Sequence, residues 1–303
     1  MDAQADAPEQ HRSGFCSVVG RPNAGKSTLI NALVGDKIVI TSDKPQTTRH
    51  AVRGIVTLPS AQLVLVDTPG LHRPRTLLGE RLNDVVRSTL ADVDVVAFCV
   101  PADQRIGPGD RFIAAEIAQL PKPLVAVVTK TDAVTRDQIA AQLIAVSGLG
   151  DFADIVPVSA LRGDQVSVLA DVLSRHLPAG PPLYPDEMRT DVDVDTRIAE
   201  LIREAALAGA REELPHSIAV TVTERNPRSD RIDLVDVYAT IHLERASQKP
   251  IVIGRGGAQL KRIGTVARAG IEELLGVRVN LDLHVAVEQN WQRDPKKLDR
   301  LGF

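Results

Sequence analysis

A chain of 303 residues, 44% hydrophobic and 25% charged with a formal net charge of -3, has the composition of ordinary globular protein and excludes a disordered polypeptide. Its length exceeds one usual domain, so two are expected, and no apolar run approaches the length needed to cross a membrane. Two cysteines, Cys16 and Cys99, sit in apolar stretches and read as core thiols, with no disulfide framework.

Residues 1–13, MDAQADAPEQHRS, are polar and lack the apolar region of a signal peptide, so a flexible start and a cytosolic location are expected. From Phe15 to about His176, short apolar strands (FCSVV, QLVLV, VDVVAFCV, LVAVV, DIVPV) alternate with helical stretches. That rhythm predicts an α/β domain over residues 14–178 with a mostly parallel sheet covered by helices.

The first strand runs into Gly20-Arg21-Pro22-Asn23-Ala24-Gly25-Lys26-Ser27, which fits GxxxxGK[ST], and Thr28 opens a helical run. Strand before and helix after are the context a phosphate-binding loop requires. Glycines let backbone amides wrap phosphates, Lys26 is placed to neutralise β- and γ-phosphate charge, and the Ser27 hydroxyl suits Mg²⁺. The stretch TSDKPQTTRH offers Thr47 and Thr48 in a segment without a strong element signal, with Thr48 as the choice for the metal.

QLVLV delivers Asp67-Thr68-Pro69-Gly70 at a strand's carboxyl end, the ligand-binding edge of open α/β sheets. Asp67 is expected to hold Mg²⁺ from its second side and Gly70 to bring an amide near the γ-phosphate; a plain turn is the alternative. LVAVV ends in Thr129-Lys130-Thr131-Asp132, where a carboxylate can accept from N1–H and the 2-amino group of guanine, donors that adenine lacks there. The stem of Lys130 can cover the base, and the backbone of Ser159-Ala160 after DIVPV can reach O6.

LPAGPPLYPDE, residues 177–187, holds four prolines and one glycine in eleven positions, and a linker is expected over 179–195. Beyond it a helix from Thr196 to about Gly209, two antiparallel strands (SIAVTVTE, LVDVYATIHLE) and the alternating strand VRVNLDLHVAVE predict a smaller α+β domain over 196–303. Gly254-Arg255-Gly256-Gly257, between strand-like IVI and helical AQLKRIG, fits the GxxG loop with which KH domains clamp an RNA backbone. Arg245, Lys249, Arg255, Lys261, Arg262 and Arg268 are the charged residues of positions 245–268, with no acidic residue among them. Lys249, Gly254 to Gly257, Lys261 and Arg262 are the expected RNA contacts; a solvated helix face and a membrane surface are the other readings. His242 and His284 fall on outward strand positions, and Trp291 and Tyr184 read as packing anchors.

GRPNAGKS, QTTRH, DTPGLH, TKTD and SA follow the five-motif order of translation-factor-type GTPases. Together with IVIGRGGAQLKRIG and the tail WQRDPKKLDRLGF, they make almost the whole chain resemble the Era family of bacterial GTPases. The resemblance implies a type II KH domain, binding of GTP and GDP, slow hydrolysis, and binding to 16S ribosomal RNA during maturation of the 30S subunit. A monomer in the cytoplasm, with a weak association at the inner face of the cell membrane, is also expected. Two residues depart from the family pattern: Thr129 stands where Asn is usual, which predicts weak, fast nucleotide binding, and Gly256 stands where Lys is common. Leu71 occupies the place of the water-orienting Gln of Ras-like enzymes and cannot do its work. Asn23 resembles the residue with which related GTPases hold K⁺ against the phosphates; bracing of the loop by its amide is the equal alternative.

Overall fold

The computed structural model describes residues 10–41, 52–68, 76–208, 217–229, 231 and 233–302. Thr47, Thr48, Pro69, Gly70 and Leu71 therefore lie outside the described residues. The chain forms two compact units that part at Asp191–Val192; Ile40, Thr41 and residues 76 to 83 group with the second.

The first unit is built on a six-stranded sheet. Its strands are β1 (Arg12–Gly20), β2 (Val52–Leu58), β3 (Ala61–Asp67), β4 (Val95–Pro101), β5 (Leu124–Thr129) and β6 (Asp154–Pro157), in the order β2-β3-β1-β4-β5-β6. All neighbours are parallel except β2 and β3. Strands β3 and β4 are buried at every position, as continuous apolar runs in a sheet covered on both faces should be. Helices α1 (Lys26–Val34), α2 (Leu77–Asp92, of which Asp84 onward belongs to this unit), α3 (Pro108–Ile117), α4 (Arg136–Ser147) and α5 (Val166–Arg175) follow in chain order. The order reverses at β1, and the crevice at its carboxyl end is where such sheets bind ligands.

Strand β2 has no counterpart among the expected strands. Arg53 and Gly54 interrupt its apolar run, and Gly54 is required by packing: a Cβ there would lie 2.7 Å from Ile38 and 2.8 Å from Val34. The proline-rich stretch is pinned rather than free. Ser13 Oγ donates to the Pro181 carbonyl at 2.6 Å, and the fully buried Gln62 accepts from the amides of Leu183 and Tyr184 at 2.7 and 2.8 Å. Ile55 N–H donates to the Arg189 carbonyl at 2.9 Å, so residues 179–191 run along the first unit.

The second unit holds α6 (Val194–Leu207), β7 (Ile218–Pro227), β8 (Leu234–Leu243), α7 (Lys249–Ile253), α8 (Ala258–Leu275), β9 (Arg278–Val287) and α9 (Pro295–Arg300). Its sheet runs β7-β8-β9, with β7 antiparallel and β9 parallel to β8. Ile198, Ile202, Ile241, Ile263 and Ile271 join the sheet to α6 and α8 in one core. Asp193 caps α6 by accepting from Thr196 N–H at 2.9 Å, which starts the helix before Thr196. IVI is not a strand: residues 251–253 are the end of α7, with Pro250 in its first turn and Gly254 at its close. A three-residue apolar run has no readable period, so proline and glycine decide it. His242 is half-buried and pairs across the sheet, its Nε2 with Thr221 Oγ1 at 2.9 Å, and Trp291 is fully buried with Leu298 and Leu301.

Candidate functional site

Strand β1 ends at Gly20, whose φ of 155° and close approach leave no room for a side chain, since a Cβ would lie 2.7 Å from the Cys99 carbonyl. The loop then turns through Asn23 at φ 63° and Gly25 at φ 86° before α1 begins at Lys26. Asn is among the few residues besides glycine that take the left-handed region at small cost. Lys26 is buried, and its Nζ donates to the carbonyls of Gly20 at 3.0 Å and Arg21 at 2.9 Å. Burial pushes its ammonium below the ordinary lysine range, with the Asp67 carboxylate opposing. The Cys99 thiol behind the loop is pushed up to about 12 by burial, so both it and Cys16, raised for the same reason, are neutral core groups.

Asp67, the last residue of β3, is fully buried and accepts from Ser27 Oγ at 3.2 Å. Two hard oxygen donors thus meet beside Lys26, a set that fits Mg²⁺, which binds through few protein oxygens and completes its shell with phosphate and water. Thr68 turns away: its hydroxyl donates to the Val18 carbonyl at 3.2 Å, a packing role. Pro22 and Thr28 are half-buried in the loop and the first turn of α1.

The end of β5 approaches the same loop. Thr129 Oγ1 donates to the Ala24 carbonyl at 2.6 Å, with both residues buried. Lys130 follows at φ 58°, and Thr131 enters a short 3₁₀ turn with Asp132. Ser159, fully buried after β6, donates from Oγ to Asp132 Oδ1 at 2.7 Å, and Ala160 follows half-buried. One carboxylate oxygen is thereby held and the side chain oriented, the arrangement a bidentate acceptor for guanine needs. The loop, Asp67, Thr129 and Asp132 are thus gathered at the carboxyl ends of β1, β3 and β5.

In the second unit, Gly254 (φ 74°), Gly256 (φ 59°) and Gly257 (φ 80°) form the turn between α7 and α8. At Gly254 a Cβ would lie 2.7 Å from the Gln259 side chain and 2.8 Å from its backbone nitrogen, whereas Gly256 and Gly257 face open space. Arg255, Lys261 and Arg262 are exposed, Lys249 is half-buried, and none takes an acidic partner among the described residues. A groove of about 470 Å³ lies between α8 and β9, lined by Gly257, Lys261, Gly264, Arg268, Asn280 and Asp282 among others. Gly264, Asn280 and Asp282 carry no motif. Their signal is periodic: positions 261, 264 and 268 share one face of α8, and 280 and 282 are the polar alternates of β9.

A family model described as a 50S ribosome-binding GTPase matches residues 15–130, and a KH-domain model matches residues 213–292. GTPase Era of Mycobacterium avium (strain 104) is 62% identical over 297 residues, 97% of this chain and 99% of the relative. That of Mycobacterium tuberculosis (strain ATCC 25177 / H37Ra) is 59% identical over 298 residues, again 97% and 99%. Among solved structures, a variant of Aquifex aeolicus Era bound to GDP and AlF4⁻ superimposes with a TM-score of 0.92 at 35% identity, covering 96% of this chain and 99% of that one. Era in complex with MgGDPNP and nucleotides 1506–1542 of 16S ribosomal RNA does so at 0.91 and 36% identity, with the same coverage.

Proposed function

Because the chain belongs to the Era family of GTPases, we infer that it is a GTP-hydrolysing switch that binds the 3′ region of 16S ribosomal RNA through its KH domain and assists assembly of the 30S subunit. The observation that carries this reading is the pairing, in one chain, of a phosphate loop and a held guanine acceptor with a GxxG turn at the start of an eighteen-residue helix. The enzyme converts GTP to GDP and phosphate. Ser27, Asp67 and Thr48 are the residues that would hold Mg²⁺, and the ion, when bound, would neutralise charge on the phosphates. Lys26 leaves the Gly20 and Arg21 carbonyls for the β- and γ-phosphates, and Asp132 selects guanine, with Lys130 over the base and Ala160 at O6. Pro69, Gly70 and Leu71 count among the nucleotide contacts in this reading, and Leu71, which cannot orient a water, makes turnover slow.

Lys249, Arg255, Lys261 and Arg262 supply charge to the RNA backbone, while the amides at Gly254, Gly256 and Gly257 and the start of α8 receive a phosphate. A monomer in the cytoplasm, with a secondary and weak association at the membrane surface, is the organisation that accompanies this reading. No helix among the described residues is long and apolar enough to cross a membrane.

Asn23, at the turn of the loop, gives the switch a cation dependence: its amide oxygen would hold K⁺ against the phosphates, where the cation would stabilise charge developing in transfer. Equal turnover in sodium and potassium would remove that role. The function as a whole is tested by binding of a 16S 3′-end oligonucleotide and a scrambled control, each with GDP and with a non-hydrolysable GTP analogue. Preference for the true sequence in the GTP form supports the switch. Binding that ignores the nucleotide leaves a constitutive RNA-binding module in its place.

A further inference from the structure

Asp110 lies on α3, outside every nucleotide-binding motif, yet it is fully buried and its carboxylate meets the phosphate loop. Oδ1 accepts from Arg21 Nε at 2.6 Å, and Oδ2 accepts from the Gly107 amide at 2.8 Å. One side chain thus closes the start of α3 and grips the second residue of the loop. Arg21 Nη2 also donates to Gln104 Oε1 at 3.2 Å, and the Gln104 carbonyl accepts from Gln142 Nε2 of α4 at 3.1 Å. Gly109 permits the approach, because a Cβ there would lie 3.0 Å from Arg21 Cδ. The backbone so held is the one whose carbonyl receives Lys26 Nζ at 2.9 Å.

We infer that Asp110 is a positioning residue for the nucleotide site, fixing the phosphate loop through Arg21 so that the loop's amides meet GDP or GTP already ordered. A buried carboxylate is costly unless it is paired, and a charge-assisted pair of this length holds its partner firmly. With Arg21 fixed on one side and Ala24 on the other by Thr129, the four-residue arc from Arg21 to Ala24 loses little further freedom when phosphates arrive. An unclamped loop would lose that freedom on binding, which weakens affinity without altering the chemistry. This inference rests on the reading of the loop as a guanine-nucleotide site.

The test compares GDP affinity, GDP dissociation and steady-state kinetics in the full chain with Asp110→Asn, Arg21→Gln and the two combined. Asp110→Asn keeps an oxygen for the Gly107 amide, and the melting temperature of the nucleotide-free protein reports any damage to α3. Each single change is expected to weaken GDP binding about 10-fold, chiefly through faster dissociation, and to raise KM for GTP more than it lowers kcat. The double variant is expected to be no weaker than the weaker single, because both remove one contact. Losses that add in the double variant would overturn the clamp, as would an Asp110→Asn protein with undiminished GDP affinity and a lowered melting temperature. Failure of the unaltered chain to bind GDP would remove the underlying reading; undiminished binding in the variants alone would remove only the clamp.

Discussion

Thr129 shows how one substitution divides the duties of a motif. The Asn that the family resemblance leads one to expect here has a longer side chain and an amide; Thr129 keeps a connection to the loop, donating to the Ala24 carbonyl at 2.6 Å, but has no amide to offer a base. Thr129→Val, which removes the hydroxyl and little volume, leaves that buried carbonyl without its donor and is expected to cost about 1–2 kcal/mol, or roughly 10-fold in GDP affinity by equilibrium titration. Thr129→Asn is expected to do the reverse, tightening GDP about 3- to 10-fold with slower release, since the amide supplies a second contact. No gain in affinity for Thr129→Asn would mean that the missing amide does not limit binding. Asp132 needs no such repair, because Ser159 already orients its carboxylate.

At the scale of elements, the loops that follow glycine-rich signatures were legible because backbone chemistry dictates them: GRPNAGKS and GRGG both place glycine where φ is positive or where a neighbour leaves no room for a side chain. Asp67, Asp132 and Ser159 were legible for a related reason, since apolar parallel strands announce their own carboxyl ends. Strand β2 was hidden because Arg53 and Gly54 break its run, and α7 was misread because Ile251, Val252 and Ile253 are too few to show a period. Asp110 carried no signal at all, because its partner Arg21 lies 89 positions away. The GxxG turn itself makes a prediction. Gly256 faces open space at φ 59°, so Gly256→Lys is sterically free apart from a left-handed backbone costing about 1 kcal/mol. It should tighten RNA binding and steepen its salt dependence by about one unit of slope, measured from 50 to 200 mM salt, whereas Gly254→Ala should weaken binding by driving a Cβ into Gln259. The sheet of the same unit is sensitive to acid. Burial holds the His242 ring below its ordinary 6.5, against the pull of Glu288 and with the help of Arg300 and His284, while Nε2 pairs with Thr221 Oγ1 at 2.9 Å. The neutral ring is the favoured form, so its contribution is present above pH 6.5 and is lost as pH falls through the lowered value. Melting temperature should therefore fall between pH 7 and pH 5, and His242→Gln should flatten part of that decline; an unchanged slope would acquit the histidine.

For the whole molecule, a switch is a statement about free energy shared between two ligands, and it can be measured from either end. If the GTP analogue tightens RNA binding relative to GDP by some factor, RNA must favour the analogue over GDP by the same factor, because both routes join the same four states. A factor of about 5- to 150-fold is the usual range for such coupling. The expected outcome is a matched pair of factors, obtained from RNA titrations with each nucleotide bound and from nucleotide titrations with and without saturating RNA. The residue variants locate the coupling further. Gly256→Lys acts on RNA alone and should raise RNA affinity equally in both nucleotide states, leaving the factor unchanged. Thr129→Val acts on the loop beneath the phosphates and should weaken GDP and the analogue together, again sparing the factor, so that neither variant moves it although each moves an affinity. A change confined to Thr48, which is proposed to meet Mg²⁺ and the γ-phosphate, is expected to behave differently: Thr48→Ala should leave GDP affinity near that of the unaltered chain while collapsing the factor toward one. A factor of one in the unaltered chain, from both directions, would mean that nucleotide and RNA are bound independently and that GTP hydrolysis acts on some step other than RNA affinity.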